Sequence, residues 1–210
     1  MNYNIPQKYF ILACDEKGST KIYTNSRKRA FLAASSFFDL VINDIIDLTE
    51  KSVIIKKVLP PEKEYLNQFF QLINKNQGKS VVHVLRSMNS EKVTKPIYNQ
   101  IGDSLSVRDV VRKEVKGTIF NKYNNYFADT TLQNKLKNEL TEEAFSNEKL
   151  DPETIAILSV LYNGHIFKDN ITKSQMDELK SKFKDMEKDP DCEKIITISK
   201  RLNRTISTII

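Results

Sequence analysis

Asp151 to Ile166 reads DPETIAILSVLYNGHI, and the architecture is best read outward from this stretch. Asp151 is placed to cap a helix that opens with Pro152, whose missing amide hydrogen costs nothing there. Glu153 then meets the positive end of the helix dipole. Ile155, Ala156, Ile157, Leu158, Val160 and Leu161 cover nearly every direction of a helical wheel, so the helix has no side suited to water. Gly164 offers a stop. At about 1.5 Å per residue the apolar part is far shorter than the roughly 30 Å of hydrocarbon in a bilayer, and burial inside other helices is expected instead.

The rest of the chain can supply that enclosure. It has 210 residues, 40% of them hydrophobic, enough for one sizeable core. Its five glycines and six prolines form no linker or repeat, so residues 1–210 are expected to make a single domain. The fold class expected is mainly α, with a buried hydrophobic central helix surrounded by amphipathic helices, plus short β-hairpins. The opening MNYNIPQKYFILACDEKG lacks the long apolar core of a signal peptide, which predicts a cytoplasmic protein. Cys14 and Cys192 match neither a disulfide framework nor a metal knuckle. A formal charge of +6 favours anionic partners, nucleic acid or a membrane face, without choosing between them.

In chain order, Lys8–Cys14 is an apolar run too short to separate strand from buried helix, and Asp15–Gly18 is a turn. Lys21–Thr24 reads as a strand that completes a hairpin-like entry. Asn25 or Ser26 caps a helix running to Val41, with Arg27, Lys28 and Arg29 in its first turn. Cations there oppose the helix dipole, a conflict that a bound anion would relieve. Ile45–Leu48 and Val53–Ile55 read as short strands, Glu62–Asn74 as an amphipathic helix, and Ser80 as the cap of another. From Pro96 to Lys116 the spacing of Ile97, Ile101, Leu105, Val107, Val110, Val111 and Val115 predicts one long helix, basic at Arg108, Arg112, Lys113 and Lys116, with Gly102 a weak point. Thr118–Phe127 reads as a small aromatic hairpin. Helices follow at Leu132–Phe145, around Met176 to Met186, and from Ile195 to Ile210.

Signals for catalysis are weak. The glycines stand alone, and no serine sits in a nucleophile elbow. His83 and His165 fall on expected helices without a second metal ligand at helical spacing. Glu142-Glu143 and Glu62-Lys63-Glu64 are placed at helix starts, where the dipole accounts for them. The chain is therefore expected to be no enzyme, with no cofactor and no bound metal.

Four stretches taken together resemble one family: IPQKYFILACDEKG, FFDLVINDIIDL, PPEKEYLNQFFQLINKNQGKSVVHVL, and LQNKLKNEL followed by DPETIAILSVLYNGHIF. Their succession, rather than any single motif, is similar to the Golgi phosphoprotein three family of peripheral membrane proteins, which bind phosphatidylinositol 4-phosphate and glycosyltransferase tails. The resemblance implies a basic pocket for an anionic phospholipid head group on the cytosolic face of a membrane, the Golgi if the source is eukaryotic. An aromatic residue and arginines on the early and middle helices hold that head group in the family. Tyr23 stands at the aromatic position. The early arginine falls on Ala33, leaving Arg27 or Arg29 to substitute, and Arg108 lies near one expected middle-helix arginine while Ser104 occupies the other. The resulting head-group set is Tyr23, Arg27, Arg29, Arg108 and Arg112.

The family also uses its hairpin for self-association and for touching membrane, which makes Tyr123, Tyr126 and Phe127 candidate membrane or oligomer contacts. Here the hairpin reads as shorter, so the oligomer stays open, and aromatics folded back over the core are the alternative. Two other functions compete: a winged-helix-like nucleic-acid binder, and an interaction scaffold that binds no lipid. A recognition helix needs a solvated side, whereas the helix after Asn25 is apolar beyond its first turn, which favours lipid over nucleic acid.

Overall fold

The computed structural model describes residues 3–49, 51–119, 121–167 and 171–209, so Phe120 of the expected hairpin lies outside the described residues. The chain opens with helices α1 (Ile5–Ala13), α2 (Lys21–Thr24) and α3 (Ser26–Ile42), then the strand pair β1 (Ile46–Leu48) and β2 (Val53–Ile55). A 3-10 segment (Pro61–Leu66) leads into α4 (Asn67–Lys75), followed by α5 (Val81–Ser87) and α6 (Glu91–Ser106). The second strand pair, β3 (Val111–Thr118) and β4 (Asn121–Ala128), precedes α7 (Thr130–Phe145) and α8 (Pro152–Asn163). Then come α9 (Lys173–Asp185), a 3-10 turn (Met186–Lys188) and α10 (Pro190–Ile209). Each strand pair is an antiparallel two-stranded sheet of its own. The mainly α class with short hairpins is as expected.

Helix α8 is the centre of the core. Every residue from Thr154 to Leu161 is buried, and α1, α3, α7 and α10 pack around it. Asp151 caps it by accepting from the Thr154 amide at 2.9 Å. Each fully buried Leu, Ile or Val side chain contributes roughly 1.5–3 kcal/mol, which makes this helix a large part of what holds the fold together. Its polar residues are matched: Ser199 Oγ donates to Ser159 Oγ at 2.8 Å, and Thr154 Oγ1 donates to Glu143 Oε2 at 3.2 Å. Asn25 caps α3 by accepting from the Lys28 amide, and Ser80 caps α5 by accepting from the His83 amide.

Several elements differ from expectation. The run ending at Cys14 is helix α1, with an Asn4–Gln7 capping box at its start. Lys21–Thr24 is a helical turn rather than a strand, because Asp15–Gly18 closes as a tight turn, with Gly18 at φ +93°, and feeds the chain straight toward α3. The expected Pro96–Lys116 helix is two elements. Helix α6 begins five residues earlier, carries Pro96 inside it and ends at Ser106. Asp109 turns the backbone at φ 54°, and Val111, Lys113 and Val115 belong to β3. Val111 is the buried residue of β3, whose charged residues lie exposed or half-exposed along the hairpin. The hairpin is accordingly longer than expected, with Val111 paired to Ala128 and Thr118 to Asn121. His165 lies beyond α8 at φ 61°, and Glu142-Glu143 end α7 rather than starting a helix.

Candidate anion-binding site

The three cations at the start of α3 have protein partners. Arg27 Nη1 donates to the carbonyl of Asn163, the last residue of α8, at 3.1 Å. Lys28 Nζ donates to the carbonyl of Ala13, the last residue of α1, at 2.8 Å. Arg29 Nη1 donates to the carbonyls of Tyr23 and Thr24, which end α2, at 2.9 and 3.3 Å. The negative ends of three other helices thus meet the cations that oppose the α3 dipole. The electrostatic conflict expected to call for a bound anion is resolved inside the protein.

The head-group residues expected from sequence are divided among separate hollows. Arg27 lines one with Phe31, Tyr162 and His165. Arg108, past the end of α6, stacks 5.4 Å from the centre of the Tyr3 ring, in a hollow that also holds the carboxylates of Glu62, Glu64 and Asp103. Arg112 is ion-paired with Glu114 and lies 4.6 Å from the Phe127 ring centre, its cross-strand neighbour. One pocket containing all five residues does not form, because the basic side of the supposed long helix is split between a turn and a strand. Tyr126 has no exposed surface, so it cannot serve as the membrane or oligomer contact considered for it. Its ring packs on Phe10 and Tyr98 instead, as the alternative of folding back held. Phe127 and Tyr123 stay partly exposed.

Tyr23, Arg29 and Tyr123 do come together. Thr20, Tyr23, Thr24, Glu91, Lys95 and Tyr123 line a hollow of about 320 Å³ between α2, the start of α6 and the hairpin. Lys95 Nζ lies 5.9 Å from the Tyr23 ring centre. Arg29 is only 9% exposed behind this wall, and its Nη1 is 3.9 Å from the Glu91 carboxylate. Its Nε is a buried nitrogen with no hydrogen-bond partner. Burial, followed by the Glu91 carboxylate and Tyr123, holds the Tyr23 phenol above its ordinary pKa, so it is a neutral donor near neutrality. The arrangement combines aromatic surface, a hydroxyl-rich rim and two cations against one carboxylate. Its hydroxyl and ammonium groups are donors of the kind a phosphate accepts from. Lys95 and Glu91 lie ahead of the apolar spacing that marks a helix from Pro96. Ser90 before Glu91 was the available signal, a cap-type residue followed by an acid in the first turn.

The family model described as Golgi phosphoprotein 3 (GPP34) matches residues 5–199, which spans nearly all the elements above. The chain belongs to the Golgi phosphoprotein 3 family. No curated protein matches it. Among the described residues, this GPP34 chain has no helix long and apolar enough to cross a membrane, and no cluster of three or more potential metal ligands. The two cysteines are buried and unpaired, and burial pushes the Cys14 thiol up to about 12.

Proposed function

We propose that this protein is a peripheral membrane adaptor that receives the phosphate of an anionic phospholipid, a phosphoinositide such as phosphatidylinositol 4-phosphate, at the hollow of Tyr23, Lys95 and Tyr123. Arg29 reinforces the field from behind. The observation that carries this reading is the convergence of Tyr23, Tyr123 and Lys95 at one hollow in a GPP34 chain, with the buried Arg29 behind its wall. A net charge of +6 adds long-range attraction to an anionic surface. Protein clients, which the resemblance associates with glycosyltransferase tails, would then be held at the cytosolic face of that membrane. A winged-helix reading has little support: α3 is buried from Arg29 to Val41 and presents no solvated side to a groove.

Flotation with phosphatidylcholine vesicles, with and without phosphatidylinositol 4-phosphate, tests the proposal. Each basic residue near an anionic surface contributes about 1 kcal/mol, so Lys95→Glu should weaken binding to the anionic vesicles roughly 30-fold. Removing the opposing carboxylate with Glu91→Gln should strengthen it several-fold, and both effects should shrink as salt rises. Lys75→Glu, an exposed site at the end of α4, controls for net charge alone. Equal losses for Lys95→Glu and Lys75→Glu would eliminate this hollow as the site.

A further inference from the structure

Helix α9 leaves much of its apolar side uncovered. Leu179 is its buried residue, while Met176 and Phe183, on the same stripe, are only partly buried. Between this stripe and α8 and α10 runs a slot of about 190 Å³, walled by Leu179, Phe183, Ile196 and Tyr162. At its base Ser159 and Ser199 bond to each other, and Asn163 Nδ2 donates to the Ser159 carbonyl at 2.7 Å. Among the described residues the slot holds no buried side-chain nitrogen or oxygen without a partner, so it asks nothing polar of an occupant's body.

The ends of the slot differ from its interior. Tyr162, Asn163, Met176 and Asn203 are shared with a neighbouring hollow of about 390 Å³, which Arg27 lines. Arg27 Nη1 is bonded to the Asn163 carbonyl, and the planar guanidinium carries further N–H donors suited to a carboxylate. Lys180, Lys184 and Lys200 stand along the slot's rim. Lys180 is paired with Asp177 at 2.9 Å and Lys200 with Glu187 at 2.5 Å, while Lys184 has no ion pair among the described residues. Cations therefore outnumber carboxylates around an apolar interior. The joined volumes are of the order found for small-molecule sites.

We infer that the slot between α8, α9 and α10 binds a single-chain fatty acid, its hydrocarbon tail between Phe183 and Ile196 and its carboxylate toward Arg27. This site is separate from the Tyr23 hollow and does not depend on the head-group proposal. The experiment is displacement of a dansylated fatty acid from the delipidated full chain by dodecanoate, below micelle-forming concentrations. Saturable one-to-one binding is expected. Dodecanol, with the same tail and no charge, should compete at least tenfold more weakly, and Arg27→Ala should weaken dodecanoate by about tenfold while leaving dodecanol unchanged, as loss of a charge-assisted hydrogen bond implies. Asn203→Trp, at the junction of slot and hollow, should abolish binding with the helical circular dichroism retained. If that variant does not fold, Arg27→Ala decides alone. Lys95→Glu should bind the probe as the parent does, which separates this result from vesicle binding. Absence of saturable binding, equal competition by dodecanol, displacement only by an acidic amphipathic peptide, or an unaltered Arg27→Ala affinity would each overturn the inference.

Discussion

Replacing Lys63 with methionine is expected to destabilise the protein by about 3–5 kcal/mol, because it strands a buried carboxylate. Lys63 Nζ is 3.0 Å from both oxygens of Asp39, and the Tyr65 hydroxyl donates to Asp39 Oδ2 at 2.8 Å. Asp39 is 3% exposed and Lys63 7% exposed. For a chain of this size each kcal/mol shifts the melting temperature by about 2–4 °C, so a drop of roughly 10 °C should be seen in a thermal melt. Asp39→Leu combined with Lys63→Met removes both charges and should recover most of the loss, since an apolar pair of similar volume is often as stable as a buried ion pair. A double variant as unstable as Lys63→Met would show that packing, rather than the stranded charge, sets the cost.

The same cluster gives a pH dependence with a definite sign. Burial raises the Asp39 carboxyl above 3.8, against the opposing pull of Lys63 and Tyr65. The folded state therefore holds the Asp39 proton where the unfolded chain has released it. This group's contribution to stability falls as pH rises from about the unfolded value through the folded one, and rises again on acidification. Without Lys63 the carboxyl is pushed higher still. The gap between the parent and Lys63→Met should thus narrow from neutral to mildly acidic pH in urea unfolding, and a constant gap would count against a charged Asp39.

Tyr126→Ala is expected to cost about 3–5 kcal/mol, the range for emptying a large buried aromatic site. The ring centre is 5.6 Å from that of Phe10 and 5.4 Å from that of Tyr98, and the hydroxyl donates to Asp103 Oδ1 at 2.8 Å. It helps seat the β3–β4 hairpin on α6, together with the Lys113–Asp103 ion pair and the Tyr98 hydroxyl, which donates to the Asn124 carbonyl. Losing the hydroxyl alone in Tyr126→Phe should cost about 1 kcal/mol. Gly102 of α6 lies directly against the Tyr126 ring and tests the packing from the helix side. A Cβ there would lie 2.6 Å from Tyr126 ring atoms. Alanine should gain about 1 kcal/mol from helix propensity yet lose about 1–3 kcal/mol to overpacking, so Gly102→Ala should not stabilise the protein. Chemical denaturation of the three variants checks the series, and a stabilised Gly102→Ala would show that the hairpin yields freely.

Much of the fold was legible because its signals are local. The α8 sequence is apolar all round and capped at both ends, Asn25 and Ser80 mark helix starts, and amphipathic spacing outlines α4, α7, α9 and α10. The break after Ser106 was not legible in the same way. Val107, Val110, Val111 and Val115 continue a helical spacing, and the left-handed turn at Asp109 has no strong composition cue. Gly102 read as a weak point in a helix, although its lack of a side chain is what admits Tyr126.

The candidate site was legible only in part. Of the expected head-group residues, Tyr23 lines the hollow and Arg29 lies buried behind it, while Arg27, Arg108 and Arg112 lie in other hollows; Tyr123, expected as a membrane or oligomer contact, and Lys95 complete its lining. The central helix, most of its amphipathic partners and the family resemblance rest on neighbouring residues and their order. Where the cations go depends on the packing of distant segments. Their partners are the carbonyl ends of other helices, and Asn163 is more than a hundred residues from Arg27, a meeting that no local pattern encodes.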